Sequence, residues 1–445
     1  MTHILLAATG HAKTEALLLV VLIQLVVIIL AARVFAALFR RIRQPAVVGE
    51  IVAGLILGPS CFGRFCPDLS ARIFSPQVAD SFAVLSEVGL ILLLFVVGLD
   101  FDFSHLRWHG KAALGISLAG ICLPFLLGTG LALIVHPHLG PSHLGTPVPL
   151  VGFTLFMGIA MSITAIPVLG RLMIELNITR TRLGAVTISA AAVDDACGWI
   201  LLATITSLVL AQFQWATSLK MAGATVLFCL QMIFVARPLL RAFVRGALRK
   251  GQGELTLNSL AAILVLLFLA AIATSVIGIL AIFGAFLLGT ILSEEREFRA
   301  VMARHLRDFL TVFFLPIFFT YTGLRTNVGT LSTPTHWLFF AAVVFCAVFG
   351  KLGGCGLAAR LGGFVPREAL CIGTLMNARG LMELIVINVG RDLGVIPDSV
   401  FCALVLMALL TTLMTTPLLL RFMPGTELEP YIRDSDLLRG VHHDA

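Results

Sequence analysis

Two carboxylates, Asp194 and Asp195, stand side by side near the middle of residues 184–210, an apolar run long enough to cross a bilayer as a helix. An acid at bilayer depth is costly and requires a partner, water or an ion. Neighbouring helical residues point about 100° apart, so one acid can meet a protein partner while the other faces a water-filled cavity. Lys351 lies near the middle of another apolar run, in Phe349-Gly350-Lys351-Leu352-Gly353-Gly354, too deep to reach water easily. A buried lysine either loses its proton or finds an acid, and Asp194 and Asp195 are the candidates. Arg379 and Glu383, four apart in a third apolar run, share a helix face and neutralise part of each other's charge. The chemistry open to such groups is competition. One of the two acids holds a proton or a monovalent cation, not both, and the other, with Lys351, forms a second switch that titrates as a coupled unit. An ion pair that only holds the bundle together is the competing account of Asp194 and Lys351.

The elements that must position these groups are membrane spans. Of the 445 residues, 59% are hydrophobic and 12% charged, against roughly a quarter charged in water-soluble proteins. The chain reads as an all-α polytopic membrane protein. Residues 1–15 carry His3, His11, Lys13 and Glu15 with no cleavage pattern, so the first apolar run is expected to be a retained span. Thirteen spans are expected: 16–38, 46–58, 79–98, 112–135, 149–170, 183–211, 221–236, 255–274, 277–292, 309–324, 336–359, 368–390 and 398–420. The nearly continuous apolar stretch 255–292 is divided at Gly278. Basic residues segregate to alternate loops, including Arg40, Arg41 and Arg43, the run 237–250, and Arg296, Arg299, Arg304 and Arg307. The positive-inside rule then places the N-terminus outside and the C-terminus in the cytoplasm. The run 237–250 is read as topology signal and anionic-lipid contact, with no nucleic-acid partner. Cys61 and Cys66 share an outer loop where a disulfide is one option.

Two spans are interrupted. In 157–170, Ser162, Thr164 and Pro167 crowd one membrane segment. Proline removes a backbone donor, and in a membrane the freed groups must be satisfied by side chains, water or an ion; a simple proline kink is the alternative. In 371–388, Asn377-Ala378-Arg379-Gly380 and Glu383 interrupt the second. Each broken span sits in a triplet, the first before the Asp-Asp span and the second between the lysine span and a plain final one. The triplets are seven spans apart and therefore inverted, an arrangement that points to a transporter site at the midplane. Elsewhere, Gly49, Gly54 and Gly58 in the short second span permit close helix approach. Snorkelling to the cytoplasmic interface accounts for Glu50 as well as an interior role does. Glu87 either lines a pathway or meets the outer interface. His136, His138 and His143 are expected to be solvated loop residues.

Taken in order, Gly49-Glu50-Ile-Val-Ala-Gly54-Leu-Ile-Leu-Gly58-Pro59-Ser60, Thr164-Ala-Ile-Pro167, Val193-Asp194-Asp195, Pro316-Ile-Phe-Phe and Asn377-Ala-Arg379-Gly380-Leu-Met-Glu383-Leu resemble the sodium/hydrogen exchanger family. The nearest branch holds bacterial Na+/H+ antiporters, plant cation/H+ exchangers and the membrane part of potassium efflux systems. The resemblance implies a core domain with two crossing, unwound helices, a separate dimerisation domain, a homodimer and elevator-like alternating access. It implies that Asp195 binds the cation, with Asp194 also at the ion and proton site, and that Asp194 pairs with Lys351. Thr164 and freed backbone carbonyls supply further oxygens, with Pro167, Asn377, Arg379 and Glu383 supporting the unwound stretches. An Asp-Asp rather than Asn-Asp pair implies electrogenic exchange. A cytoplasmic nucleotide-binding domain is not expected, because the sequence ends about 25 residues after its last span.

The combined expectation is a secondary active antiporter exchanging a monovalent cation for protons, Na+ first, with Li+ or K+ admissible. A K+ channel-like or K+/H+ pathway on the same scaffold is the alternative. Residues 1–421 form the transmembrane exchanger and 422–445 a short cytoplasmic tail, in the plasma (inner) membrane, serving pH homeostasis. No cofactor is expected. An intramembrane aspartyl enzyme requires its two acids to face each other from different helices, whereas here they are neighbours.

Overall fold

The computed structural model describes residues 10–42, 44–74, 79–100, 110–138, 144–164, 166–179, 181–211, 215–433 and 435. Arg43 and His143 lie outside them. Among the described residues every regular element is helical. The chain begins with α1 (Gly10–Arg41), α2 (Ala46–Leu57), α3 (Ala79–Asp100) and α4 (Gly110–Val135). Next come α5 (Leu150–Ser162), α6 (Ile166–Glu175), α7 (Arg182–Leu210), α8 (Trp215–Gln231) and α9 (Arg237–Lys250). They are followed by α10 (Leu257–Ile277), α11 (Ala281–Leu292), α12 (Arg296–Phe309) and α13 (Leu315–Leu324). Then come α14 (Pro334–Leu361), α15 (Pro366–Met376), α16 (Leu381–Asp392) and α17 (Asp398–Phe422), followed by a short helix Glu429–Arg433. A π-turn joins α8 to α9 and another joins α12 to α13.

Among the described residues, ten helical segments are long and apolar enough to cross a membrane, or eleven when the bent pair α15–α16 counts as one span. Each of the thirteen expected spans contains helix, but the count of thirteen full-length spans is not reached. α5 has 13 residues because the chain breaks after Ser162. α11 has 12, held between the turn at Gly278 and Glu294-Glu295. Gly278 ends α10 with φ +96, a left-handed conformation that glycine adopts without Cβ strain.

The helices pack into two compact units, and the division between them falls inside α7 and α13. The first comprises Met1–Val78, Ser104–Gly198 and Phe319–Ala445. Here small residues set the helix approaches. A Cβ on Gly49 would lie 2.5 Å from the Phe35 carbonyl oxygen of α1, and one on Gly323 would lie 2.6 Å from that of Ile51 in α2. Glu50, on this packed helix, is buried rather than snorkelling. α14 meets α4 where a Cβ on Gly354 would stand 2.7 Å from the Ala119 carbonyl oxygen. Cys61 and Cys66 are free thiols at the two ends of the one-turn helix Phe62–Phe65. His136 is held 2.9 Å from the Val148 carbonyl, while His138 is exposed.

Of the segment expected to be a short cytoplasmic tail, the described part packs in this same unit. Leu428 and Ile432 join a core with Leu183, Val186 and Leu419. The N-terminus of α7 is capped twice. Thr181 Oγ1 accepts the Gly184 N–H at 2.9 Å, and Glu427 accepts those of Arg182 and Leu183 at 2.8 and 3.4 Å. These are the donors a helix leaves without an internal partner.

The second unit comprises Ala79–Phe103 and Trp199–Phe318. Its core gathers Phe95, Leu99, Leu267, Phe298 and Met302. A Cβ on Gly98 would stand 3.0 Å from the Thr290 nitrogen, so α3 and α11 cross nearly backbone to backbone. Glu87, on α3, is exposed. The run 237–250 forms an amphipathic helix in which three arginines are engaged. Arg237 and Arg241 pair with Glu294, and Arg245 with Glu295 at 2.7 Å.

Candidate functional site

α7 places Asp194 and Asp195 midway along its length, both buried at 0% and 2% exposure. One turn further, a Cβ on Gly198 would lie 3.1 Å from Ile163 and 3.4 Å from Met382. This face of α7 therefore rests on the first interruption and on the start of α16 just after the second.

The first interruption separates α5 from α6. Ile163 leaves the helix with extended backbone, φ −83 and ψ 142. Pro167 is the second residue of α6, within a first turn whose N–H groups have no intrahelical partner in any case. The break thus precedes the proline, which starts the next helix rather than kinking one. Freed from the helix, the Thr164 N–H donates to Asp194 Oδ2 at 2.9 Å. Its hydroxyl donates to the Met376 carbonyl at 2.9 Å, the last residue of α15. The second interruption, Asn377–Gly380, bends α15 from α16 by 45°. The two breaks meet at the Thr164–Met376 hydrogen bond.

Lys351 descends from α14 and donates to Asp194 Oδ2 at 2.8 Å, with both side chains wholly shielded from solvent. That oxygen therefore receives the ammonium and the Thr164 amide together, whereas Oδ1 has no hydrogen-bond partner among the described residues. Asp195, expected to face a water-filled cavity, is enclosed at 2% exposure. A Cβ on Gly120 of α4 would collide with Cys355 Sγ and stand 3.7 Å from Lys351 Nζ. The lysine thus lies against a glycine that leaves it room.

Arg379 is fully buried. It contacts Glu383 at 3.2 Å, but its shorter bonds are to the Ala160 and Met161 carbonyls at 2.9 and 2.6 Å. These belong to the last turn of α5, the negative end of that helix's dipole. Glu383 lies in the first turn of α16, at a positive end. Each charge therefore offsets a helix terminus created by a break. Asn377 ends α15 through its backbone, its N–H bonding the Thr374 carbonyl at 3.2 Å. Neither end of its buried carboxamide has a partner among the described residues, nor has the Thr374 hydroxyl.

Sequence reasoning did not single out the Met376, Ala160 and Met161 carbonyls, Gly120, Gly198 or Thr412. Thr412 bonds both backbone groups of Arg379. The readable signal was the pair of doublets Thr411-Thr412 and Thr415-Thr416, an unusual density of hydroxyls for a final span that otherwise reads as plain.

The family model for the sodium/hydrogen exchanger, transmembrane, matches residues 25–421. Cation/H(+) antiporter 17 of Arabidopsis thaliana is 38% identical over 422 residues, which cover 94% of this chain and 50% of that protein. Na(+)/H(+) antiporter NhaS4 of Synechocystis is 38% identical over 411 residues, 92% of this chain and 98% of its own length. The chain therefore spans about half of the plant relative and nearly all of the cyanobacterial one. In fold, it resembles the sodium proton antiporter MjNhaP1 of Methanocaldococcus jannaschii with a TM-score of 0.62 at 14% identity, over 94% of this chain and 100% of that one.

Proposed function

The chain belongs to the sodium/hydrogen exchanger family, and from that premise we propose that it is a secondary active antiporter exchanging a monovalent cation for protons. The observation that carries the proposal is the Lys351–Asp194 pair, wholly buried and hydrogen-bonded to the edge of one broken helix. Asp195 is the carboxylate at which proton and cation exclude each other. A cation requires it deprotonated, and a proton removes the charge the cation binds. Asp194 Oδ1 and the Asn377 carboxamide, which have no partner among the described residues, and Thr164 are the further ligands we assign to the cation. When the cation arrives, Lys351 releases Asp194 and loses its proton, so more than one proton crosses per cation and exchange is electrogenic. The shut position of Asp195 fits an occluded stage of elevator-type alternating access. Na+ is the proposed cation, with Li+ and K+ as competitors. The protein acts as a homodimer in the plasma membrane, its N-terminus outside and its C-terminus inside.

The test uses purified protein in proteoliposomes with an imposed pH gradient, assayed with Na+, Li+ and K+, with and without a membrane potential. Cation-dependent proton flux is expected, abolished by Asp195→Asn. Cation currents that neither move protons nor depend on them would establish a channel instead.

A further inference from the structure

The last helix does not merely pack against the second break. Thr412 of α17 is 3% exposed. Its Oγ1 accepts the Arg379 N–H at 3.1 Å and lies 2.7 Å from the Arg379 carbonyl oxygen. It also stands 2.8 Å from the Ala408 carbonyl of its own helix. A hydroxyl has one proton and two acceptor sites, so the proton is shared between the Arg379 and Ala408 carbonyls while the oxygen takes the amide. The neighbouring hydroxyl behaves differently. Among the described residues, Thr411 Oγ1 bonds within its own helix, to the Met407 and Ala408 carbonyls.

Both peptide groups of Arg379 lie in the interruption, where helical partners are lost. In a membrane interior such groups cannot turn to water, and one side chain serves both. The Arg379 guanidinium then reaches across to Ala160 and Met161 at the end of α5. One continuous path therefore runs from α17 through the backbone and side chain of Arg379 to the first break, whose Thr164 amide holds Asp194.

We propose that Thr412 is a positioning residue for the exchange site. Its hydroxyl fixes the backbone of Arg379 so that the guanidinium seats the crossing of the two broken helices. It does not touch the transported ion. The proposal rests on the antiporter reading, and the two fail separately. Absence of exchange in the wild type sinks that reading, whereas an indifferent Thr412 variant sinks only this one.

The experiment compares wild type, Thr412→Val, Thr412→Ser and Thr411→Val in proteoliposomes, measuring KM for the cation, maximal rate and the pH profile. Thr412→Val keeps the volume and removes the hydroxyl; it is expected to raise the cation KM about tenfold and to shift the pH profile. Thr412→Ser restores the hydroxyl and is expected to remain within about twofold of wild type, as is Thr411→Val. Wild-type kinetics in Thr412→Val, or equal impairment in Val and Ser, overturns the proposal. If Thr412→Val does not accumulate, hydrogen exchange of the peptide covering 377–383 is compared between wild type and Thr412→Ala. Faster exchange in Thr412→Ala supports the clamp, and unchanged exchange overturns it.

Discussion

The chain holds two kinds of ion pair. Lys351–Asp194 and Arg379–Glu383 have lost essentially all contact with solvent. Arg237 and Arg241 with Glu294, whose side chain is 54% exposed, remain at a water-accessible surface. Burying an ion costs several kcal/mol, and a good partner only about offsets it. An exposed pair costs little and contributes about 0–1 kcal/mol. The interior pairs are therefore poor devices for stability, and their place at two broken helices points to what the charges do. The surface pairs tie α9 to the start of α12 and can be lost cheaply.

This contrast can be broken most severely at Lys351. Lys351→Met leaves Asp194 buried without its cation and is expected to cost about 3–5 kcal/mol, read as a fall in melting temperature, with exchange lost. The double variant Asp194→Asn with Lys351→Met should regain much of that stability and none of the electrogenic exchange. If the double variant melts no higher than the single one, the pair is not the cause. A smaller effect is expected at Gly120→Ala, where the added methyl meets Cys355 and crowds Lys351. Overpacking of this kind costs about 1–3 kcal/mol, and exchange should fall with it; an unchanged melting temperature counts against the tight fit. Glu427→Gln removes a negative charge from the N-terminus of α7 and is expected to cost about 0.3–1 kcal/mol, measured by thermal unfolding.

The smallest effect belongs to the surface. Glu294→Gln should cost no more than about 1 kcal/mol, shrinking as salt is added. Partial burial pushes the Glu294 carboxyl up, but hydrogen bonds and charge from Arg241 and then Arg237 outweigh it and hold the carboxyl below its ordinary range. A depressed carboxyl contributes stability that is present above its unfolded pKa and lost as pH falls through its folded one. The gap between wild type and Glu294→Gln should therefore close on acidification below about pH 4. A gap that persists there would mean the pair acts through packing.

Much of the scaffold was legible because membrane insertion writes itself into local sequence. The division at Gly278, the interruptions near Thr164 and Asn377, and the close approaches at Gly49 and Gly54 all follow from short-range composition. That Lys351 meets an acid of the Asp194-Asp195 pair was legible because a lone charge in lipid requires an opposite one; that the acid is Asp194 came from the family resemblance. The rest depended on backbone atoms far away in sequence. Arg379 has a visible partner at Glu383, yet its shorter bonds go to carbonyls 218 and 219 residues distant, which no side-chain pattern marks. The arginines of α9 were read as a topology signal because the partners Glu294 and Glu295 lie some 50 residues away. Docking of the C-terminal segment was hidden for the same reason: Glu427 acts on α7 across 245 positions.

The central claim is that Asp195 cannot hold a proton and a cation together. Isothermal titration of Na+, Li+ or K+ into weakly buffered wild-type protein, with pH recorded, tests it most directly. Cation binding should release protons, and Asp195→Asn should give neither the binding nor the release. Tight cation binding without proton release would contradict the account.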